Sequence, residues 1–332
     1  MCGNENKSPF FSIVISTCNR PGLLQRCLER IANQHFDNYE VIIINNGSAI
    51  HFDAEYKQVE RCFDTRFRFY NLNNELAAGF GPAHSRNLGI EAACGEYIAF
   101  CDDDDEWIDD EYLSDVRHYL EDNVADLVIS NQFGISDATN EENSPKVWFK
   151  SFENYLEQSS EKIKRLSNLE YFSDIGSFPH LNISIYKTSF IKDLSGFNRS
   201  LWYEEDLDLF LRALQKQPIV AFNDSFVSNH YIPNKKKNNN ITSGINKLNK
   251  HKLRLAYLQN LISEFGLQES NNFVKSLASD TFKHLTMHTL SKKDYRTAKM
   301  YAFSAHCIKP KFKWFSFFIY IYILNLIKAK ND

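Results

Sequence analysis

The 332-residue sequence has no CxxC pair among its seven cysteines, and that odd number is scattered from Cys2 to Cys307. The spacing argues against a disulfide framework or a zinc knuckle and suits a reducing compartment. Only 12 Gly and 8 Pro occur, too few for a collagen-like or linker-dominated chain. No basic stretch followed by a long apolar segment opens the first 30 residues, so no secretory leader is expected. No apolar run approaches the roughly 20 residues a membrane-crossing helix needs. Internal repeats are lacking too. What is present is ordinary for a folded protein: 43% hydrophobic and 24% charged residues, which excludes wholesale disorder.

The formal net charge of −4 hides an asymmetry. Pro233 to Lys330 carries 18 Lys/Arg against four acids, whereas residues 1–232 carry 20 Lys/Arg against 37 acids. An acidic first part and a basic tail suggest two tasks in one chain.

Apolar runs at Phe10–Ile15, Tyr39–Ile44 and Tyr97–Cys101 read as buried strands, with a further strand at Phe67–Tyr70. Helical spacing follows the first run, at Leu23, Leu24, Cys27, Leu28 and Ile31, and Pro82–Ala93 reads as a helix. Strands alternating with helices predict an α/β fold with a mainly parallel sheet. Polar clusters at 16–20, 45–48 and 102–105 all fall at strand ends, where such sheets bind ligands. Further strands are expected at Asp126–Gln132, His180–Tyr186 and Pro218–Phe222, and a helix at Glu204–Leu214. The pattern from Lys247 to His306 is helical throughout.

Three groups of residues carry chemistry. Asp102-Asp103-Asp104-Asp105 ends the strand YIAFC; it is either a solvated acidic turn or a divalent-metal site, since Mg²⁺ and Mn²⁺ favour carboxylates and bridge to phosphate. Glu204-Glu205-Asp206, with Asp208 and Arg212, supplies either a general base or ordinary helix-start acids with an i,i+4 pair. His230, in SNHYIP after a short strand, is either structural or a third metal ligand.

In order, these pieces resemble the family 2 glycosyltransferases of GT-A fold over roughly residues 10–232. SIVISTCNR is similar to that family's first strand and nucleotide loop, and VIIINNGS to its second. GPAHSRNLGIEAACGEYIAFCDDDD resembles its A-R-N-x-G-I, G-E-Y-I and D-x-D stretch, and GFNRSLWYEEDLDLFLRA its G-F-D and E-D segments. The resemblance implies that Thr17 and Asn46 line the nucleoside pocket, that Arg86 sits near the base or diphosphate, and that Asp102 holds the ribose. Asp104 would bind Mn²⁺ or Mg²⁺ with His230 as a further ligand, Asp103 and Asp105 assisting. Asp206 would be the catalytic base and Glu205 its neighbour. The implied reaction is inverting, metal-dependent transfer from a nucleotide-diphosphate sugar, a UDP-sugar foremost, to a glycan or lipid-linked hydroxyl in surface polysaccharide synthesis. Asn46 stands where many members carry Asp, and Ala49-Ile50-His51-Phe52 departs from the usual loop after G-S. No Q-x-x-R-W is present, which argues against a processive synthase.

The implied organisation is a catalytic domain at 8–232, a flexible basic loop at 233–246 and a helical region at 247–332. The last of these ends in WFSFFIYIYILNLI, flanked by Lys309, Lys311, Lys313, Lys328 and Lys330. Residues 309–330 therefore read as an interfacial segment for an anionic membrane surface, or alternatively as a terminal helix packed on the core. The first reading expects a cytoplasmic protein on the inner membrane face, with no nucleic-acid partner. Two other functions compete: a sugar-nucleotide nucleotidyltransferase, although the first-strand loop lacks a glycine cluster, and a non-catalytic nucleotide-binding scaffold recruited to membranes.

Overall fold

The computed structural model describes residues 8–72, 80–136, 146–149, 153–232, 245–267 and 271–331. Met1–Asn168 with Phe178–Lys237 form one compact unit, and Leu169–Ser177 with Asn238–Asp332 a second. The basic loop expected at 233–246 lies, apart from Ile245 and Asn246, outside the described residues.

The first unit is built on one sheet. β1 (Phe11–Thr17), β2 (Tyr39–Asn45), β3 (Phe67–Asn71) and β4 (Tyr97–Phe100) run parallel in the order β3-β2-β1-β4. Nearly every residue of β1, β2 and β4 is buried, as the continuous apolar runs require of strands covered on both faces. Helix α1 (Pro21–Ala32) opens with Pro in its first turn and buries Leu24, Cys27, Leu28 and Ile31. After α2 (Asp53–Glu60) comes α3 (Pro82–Ala92), which lies close on β1. Gly89 permits that approach, because a Cβ there would stand 2.3 Å from Val14 Cγ1.

Beyond β4 the sheet turns mixed. β9 (Ser184–Lys187) runs antiparallel to both β4 and β6 (Leu127–Ser136), and β6 pairs in parallel with β10 (Val220–Ile232). β5 (Glu106–Trp107) closes the path antiparallel to β10; β7 (Lys146–Val147) and β8 (Ile163–Arg165) add short antiparallel edges. Helices α4 (Tyr112–Asp122), α6 (Thr188–Asp193) and α7 (Glu205–Gln215) complete this unit.

Two strands differ from the sequence reading. The strand expected over His180–Tyr186 begins only at Ser184, because Leu181–Ile183 form a single 3₁₀ turn that carries Asn182 toward the acidic run. The strand expected to end at Phe222 continues to Ile232, so His230 lies within a strand, opposite Gly134, and not after one. Asn-Asp-Ser at 223–225 reads as a turn in sequence; in the fold it is accommodated as a shift of register between Asn223 and Phe226.

The second unit is helical: α5 (Tyr171–Ile175), α8 (Lys247–Phe265), α9 (Asn272–Ser291), α10 (Tyr295–Ile308) and α11 (Phe312–Asn331). Asn246, Asn271 and Asp294 cap α8, α9 and α10, each side chain accepting from a backbone N–H three residues on. Trp314, Phe317, Phe318 and Ile321 of α11 pack on Ala298 and Ala302 of α10, and the Trp314 indole donates to the Ala302 carbonyl at 2.8 Å. The opposite side of α11 leaves Phe315, Ile319, Tyr322, Ile323, Leu326 and Ile327 40–52% exposed. No helix among the described residues is long and apolar enough to cross a membrane.

Candidate active site

The carboxyl ends of β1, β2 and β4 meet at one edge, and three loops interlock there. Asn19 takes a left-handed backbone conformation, donates its N–H to Ser48 Oγ at 2.8 Å and accepts from Ala49 N at 2.7 Å. Thr17, fully buried, shares a 2.9 Å hydrogen bond with the Tyr56 hydroxyl. Asn46 is also buried: its amide donates to the Gly81 carbonyl at 3.1 Å and its oxygen accepts from Phe80 N at 3.0 Å. Both residues thus line the strand edge; Thr17 ties it to α2, and Asn46 fixes the entry to α3.

Each aspartate of the acidic run has its own environment. Asp102 accepts from Arg86 Nη2 at 2.7 Å, and its backbone N–H donates to Asn182 Oδ1 at 2.8 Å. Burial would raise its pKa, but Arg86 and His180 outweigh burial and hold it at about 2. Asp103 is 1% exposed and pairs with Arg20 Nη2 at 2.7 Å; burial still lifts its pKa to about 7. Asp104, about a third exposed, pairs with Arg20 Nη1 at 2.8 Å. Asp105 is buried among three donors: the Asn182 amide, Tyr231 N at 2.8 Å and His230 Nδ1 at 2.7 Å.

That last bond orients the imidazole. With Nδ1 on Asp105, His230 presents Nε2 outward, the arrangement in which a carboxylate aims a histidine ligand at a metal. Burial opposes the imidazolium, yet Asp105 outweighs it and raises the His230 pKa. His180 stacks beside it with ring centroids 4.3 Å apart and places Nε2 3.7 Å from Asp102. Burial, with help from His230, lowers the His180 pKa to about 4, so its ring is neutral near pH 7. Among the described residues His180 Nδ1 is buried without a hydrogen-bond partner. Ligand atoms of Asp102, Asp104 and Asp105 lie within 4.8 Å of one another, as do those of Asp105, His180 and His230. Carboxylates with neutral imidazole and an orphaned ring nitrogen form a donor set that fits Mn²⁺ or Mg²⁺.

Across the site, α7 follows Glu204, a non-glycine residue held at φ 58°. Glu205 accepts Arg86 Nη1 at 2.5 Å, so one buried guanidinium ties the end of β4 to the start of α7. Arg86 is thereby held charged: burial would lower its pKa, but Asp102 and Glu205 raise it. Asp206 carries its carboxylate beside this pair, and burial together with Glu205 pushes its pKa up to about 7. Asp208 and Arg212 form the plain i,i+4 pair, and Arg212 also donates to the carbonyls of Leu194 and Gly196 at 2.6 and 2.8 Å. Asn87, the neighbour of Arg86, bonds both backbone groups of Phe197 at 2.7 and 2.8 Å, joining the SRN and GFN segments.

The sequence reading missed His180 and Asn182. Both stand in HLNISIY, whose alternation reads only as a strand; the polar residues at every second place, opposite the apolar ones, were the available signal.

A model of glycosyl transferase family 2 matches residues 12–186, from β1 to β9 and including the acidic run. The chain belongs to glycosyl transferase family 2. Within it, EpsH of Bacillus subtilis (strain 168) is 39% identical over 127 residues, 38% of this chain and 34% of that protein. The GalNAc(5)-diNAcBac-PP-undecaprenol beta-1,3-glucosyltransferase of Campylobacter jejuni is 32% identical over 98 residues, 30% of either chain. The matches thus span about a third of those relatives. Among solved structures, S. aureus TarS 1-349 in complex with UDP-GlcNAc superposes with a TM-score of 0.59 at 17% identity, covering 84% of this chain and 72% of that one. The family 2 domain therefore has the GT-A fold, with a helical region after it.

Proposed function

We propose that this family 2 member is an inverting, metal-dependent glycosyltransferase that moves a sugar from a nucleoside-diphosphate donor to a hydroxyl of a glycan or lipid-linked acceptor. The observation that carries the reading is the Arg86 bridge: it joins Asp102, on the acidic run, to Glu205, beside Asp206, in one buried ion-paired unit. Family membership sets aside the nucleotidyltransferase alternative. The UDP-GlcNAc bound by TarS and the lipid-linked substrate named for the Campylobacter relative support a UDP-sugar donor and a lipid-linked or surface-glycan acceptor.

In this reading Thr17 and Asn46 bound the nucleoside side of the site and Asp102 meets the ribose. Asp104 and His230 would hold Mn²⁺ or Mg²⁺, with His180, whose ring nitrogen lies in one group with His230 and Asp105. Asp103 and Asp105 support them, Asp103 through Arg20 and Asp105 by orienting His230. The metal, when bound, neutralises charge that develops on the departing diphosphate. Asp206 takes the proton of the acceptor hydroxyl, and its raised pKa suits that role near neutral pH. Glu205 and Arg86 fix its position. Attack by the deprotonated acceptor from the side opposite the leaving group inverts the anomeric carbon, with no covalent enzyme intermediate.

The exposed face of α11 and its lysines support a peripheral site of action on an anionic membrane surface, the cytoplasmic face for a lipid-linked acceptor. Two variants test the chemistry. Asp206→Asn is expected to keep donor affinity and lose turnover by about 10²- to 10⁴-fold. Asp104→Asn is expected to lose the Mn²⁺-dependent part of UDP affinity, measured by titration calorimetry. Near-normal transfer by the first, or an intact metal response in the second, contradicts the assignments.

A further inference from the structure

Arg20 enters the scheme above only as the partner of Asp103, yet it also holds Asp104. It stands in the loop between β1 and α1 and forks across two consecutive aspartates, Nη2 on Asp103 at 2.7 Å and Nη1 on Asp104 at 2.8 Å. Its backbone is fixed: the N–H donates to Tyr56 at 3.1 Å and the carbonyl accepts Leu24 N at 3.1 Å. Only the side chain has room to move, being 35% exposed. The two pairs are unequal. Asp103 is 1% exposed and closed off from solvent, whereas Asp104 is 31% exposed and faces the ligand atoms of Asp102 and Asp105. The other two aspartates have partners of their own, Arg86 for Asp102 and His230 for Asp105.

A divalent ion on Asp104 and a guanidinium on the same carboxylate carry like charge at contact distance and compete for the same oxygens. We propose that Arg20 is an exchangeable counter-cation: it holds Asp104 until a divalent ion takes that carboxylate, and its released Nη1 end then binds the diphosphate of the donor while Nη2 stays on Asp103. The guanidinium fork suits this exchange, because one nitrogen anchors while the other offers N–H donors to phosphate. Arg20 would then couple metal loading to donor capture. The inference rests on the reading of Asp104 as a metal ligand.

The test is binding, not turnover. Titrate the full chain with Mn²⁺ alone, then with UDP in the presence and absence of Mn²⁺, for wild type, Arg20→Met, Arg20→Lys and Asp104→Asn. Removing the competing cation is expected to make Arg20→Met bind Mn²⁺ about 10-fold tighter and UDP·Mn²⁺ about 10-fold weaker, the scale of one charged hydrogen bond. Arg20→Lys keeps a charge but cannot fork, and is expected to shift both affinities in the same directions by roughly threefold. If Arg20→Met does not fold, those signs in Arg20→Lys decide. Unchanged or weaker Mn²⁺ binding in both variants, with wild type binding normally, overturns the exchange alone. No Mn²⁺ binding in wild type, or full binding in Asp104→Asn, overturns the metal reading and the exchange with it.

Discussion

The four consecutive aspartates are tolerated because each meets a different partner: a guanidinium fork for Asp103 and Asp104, a buried arginine for Asp102, and an amide, a backbone N–H and an imidazole for Asp105. Identical residues thereby acquire distinct acidities, from about 2 for Asp102 to about 7 for Asp103. The same principle acts on Asp206, whose pKa of about 7 gives a pH prediction. A base must be ionised, so kcat/KM is expected to rise with pH along a limb with its midpoint near 7, and the Asp206→Glu variant to shift that limb. A profile flat from pH 5.5 to 8.5 contradicts Asp206 as base. For stability the sign is opposite. A raised acid pKa means that the fold binds the proton more tightly than the unfolded chain, so this contribution falls as pH rises from about 4 through 7. What the sequence displayed at this scale was residue type and order. It could not display which aspartate faces which cation, because Arg20 and Arg86 lie 84 and 16 residues from their partners, Asp104 and Asp102. His180 stayed hidden for the same reason: only the turn at Leu181–Ile183 brings it to His230.

Among the elements, the strands most legible in sequence are β1, β2 and β4, whose unbroken apolar runs follow from burial on both faces. Less legible are the two- and three-residue strands β5, β7 and β8, which no apolar run announces, and β10, where Asn223-Asp224-Ser225 breaks the pattern that the ladder with β6 nevertheless carries through. Tertiary pairing overrode local turn chemistry there. The junction of α3 with the segment before α7 depends on one glycine. Gly196 has φ +63°, and a Cβ on it would stand 2.4 Å from Asn87 Oδ1. Gly196→Ala is therefore expected to destabilise the fold by about 1–3 kcal/mol, from backbone strain and from loss of the Asn87–Phe197 bonds. Chemical denaturation measures it; a change within 0.5 kcal/mol, the range of neutral surface substitutions, contradicts this packing argument. Helix α11 packs within the helical unit, as the second of its two sequence readings expects, but with one face only. One face is packed through Trp314 and Ile321, and the other remains apolar and exposed.

At the scale of the whole molecule, the charge asymmetry separates an acidic catalytic part from a basic helical part. Lysines 309, 311 and 313 precede the exposed face of α11, and each contributes on the order of 1 kcal/mol at an anionic surface. Replacing Ile319, Ile323 and Leu326 together by Ser spares the packed face. It is expected to abolish sedimentation with phosphatidylglycerol vesicles while leaving the melting temperature within a few degrees; wild-type sedimentation is expected to fall as salt rises. Wild-type failure to bind such vesicles contradicts the membrane reading. Inverting, metal-dependent glycosyl transfer is tested most directly by proton NMR. Incubate the protein with a panel of UDP- and GDP-sugars, with Mg²⁺ or with EDTA, and read the anomeric coupling of the sugar first released or transferred. One donor is expected to be consumed only when Mg²⁺ is present, with the new anomer opposite to that of the donor. Consumption that survives EDTA, or a first product that keeps the donor's configuration, would contradict this mechanism.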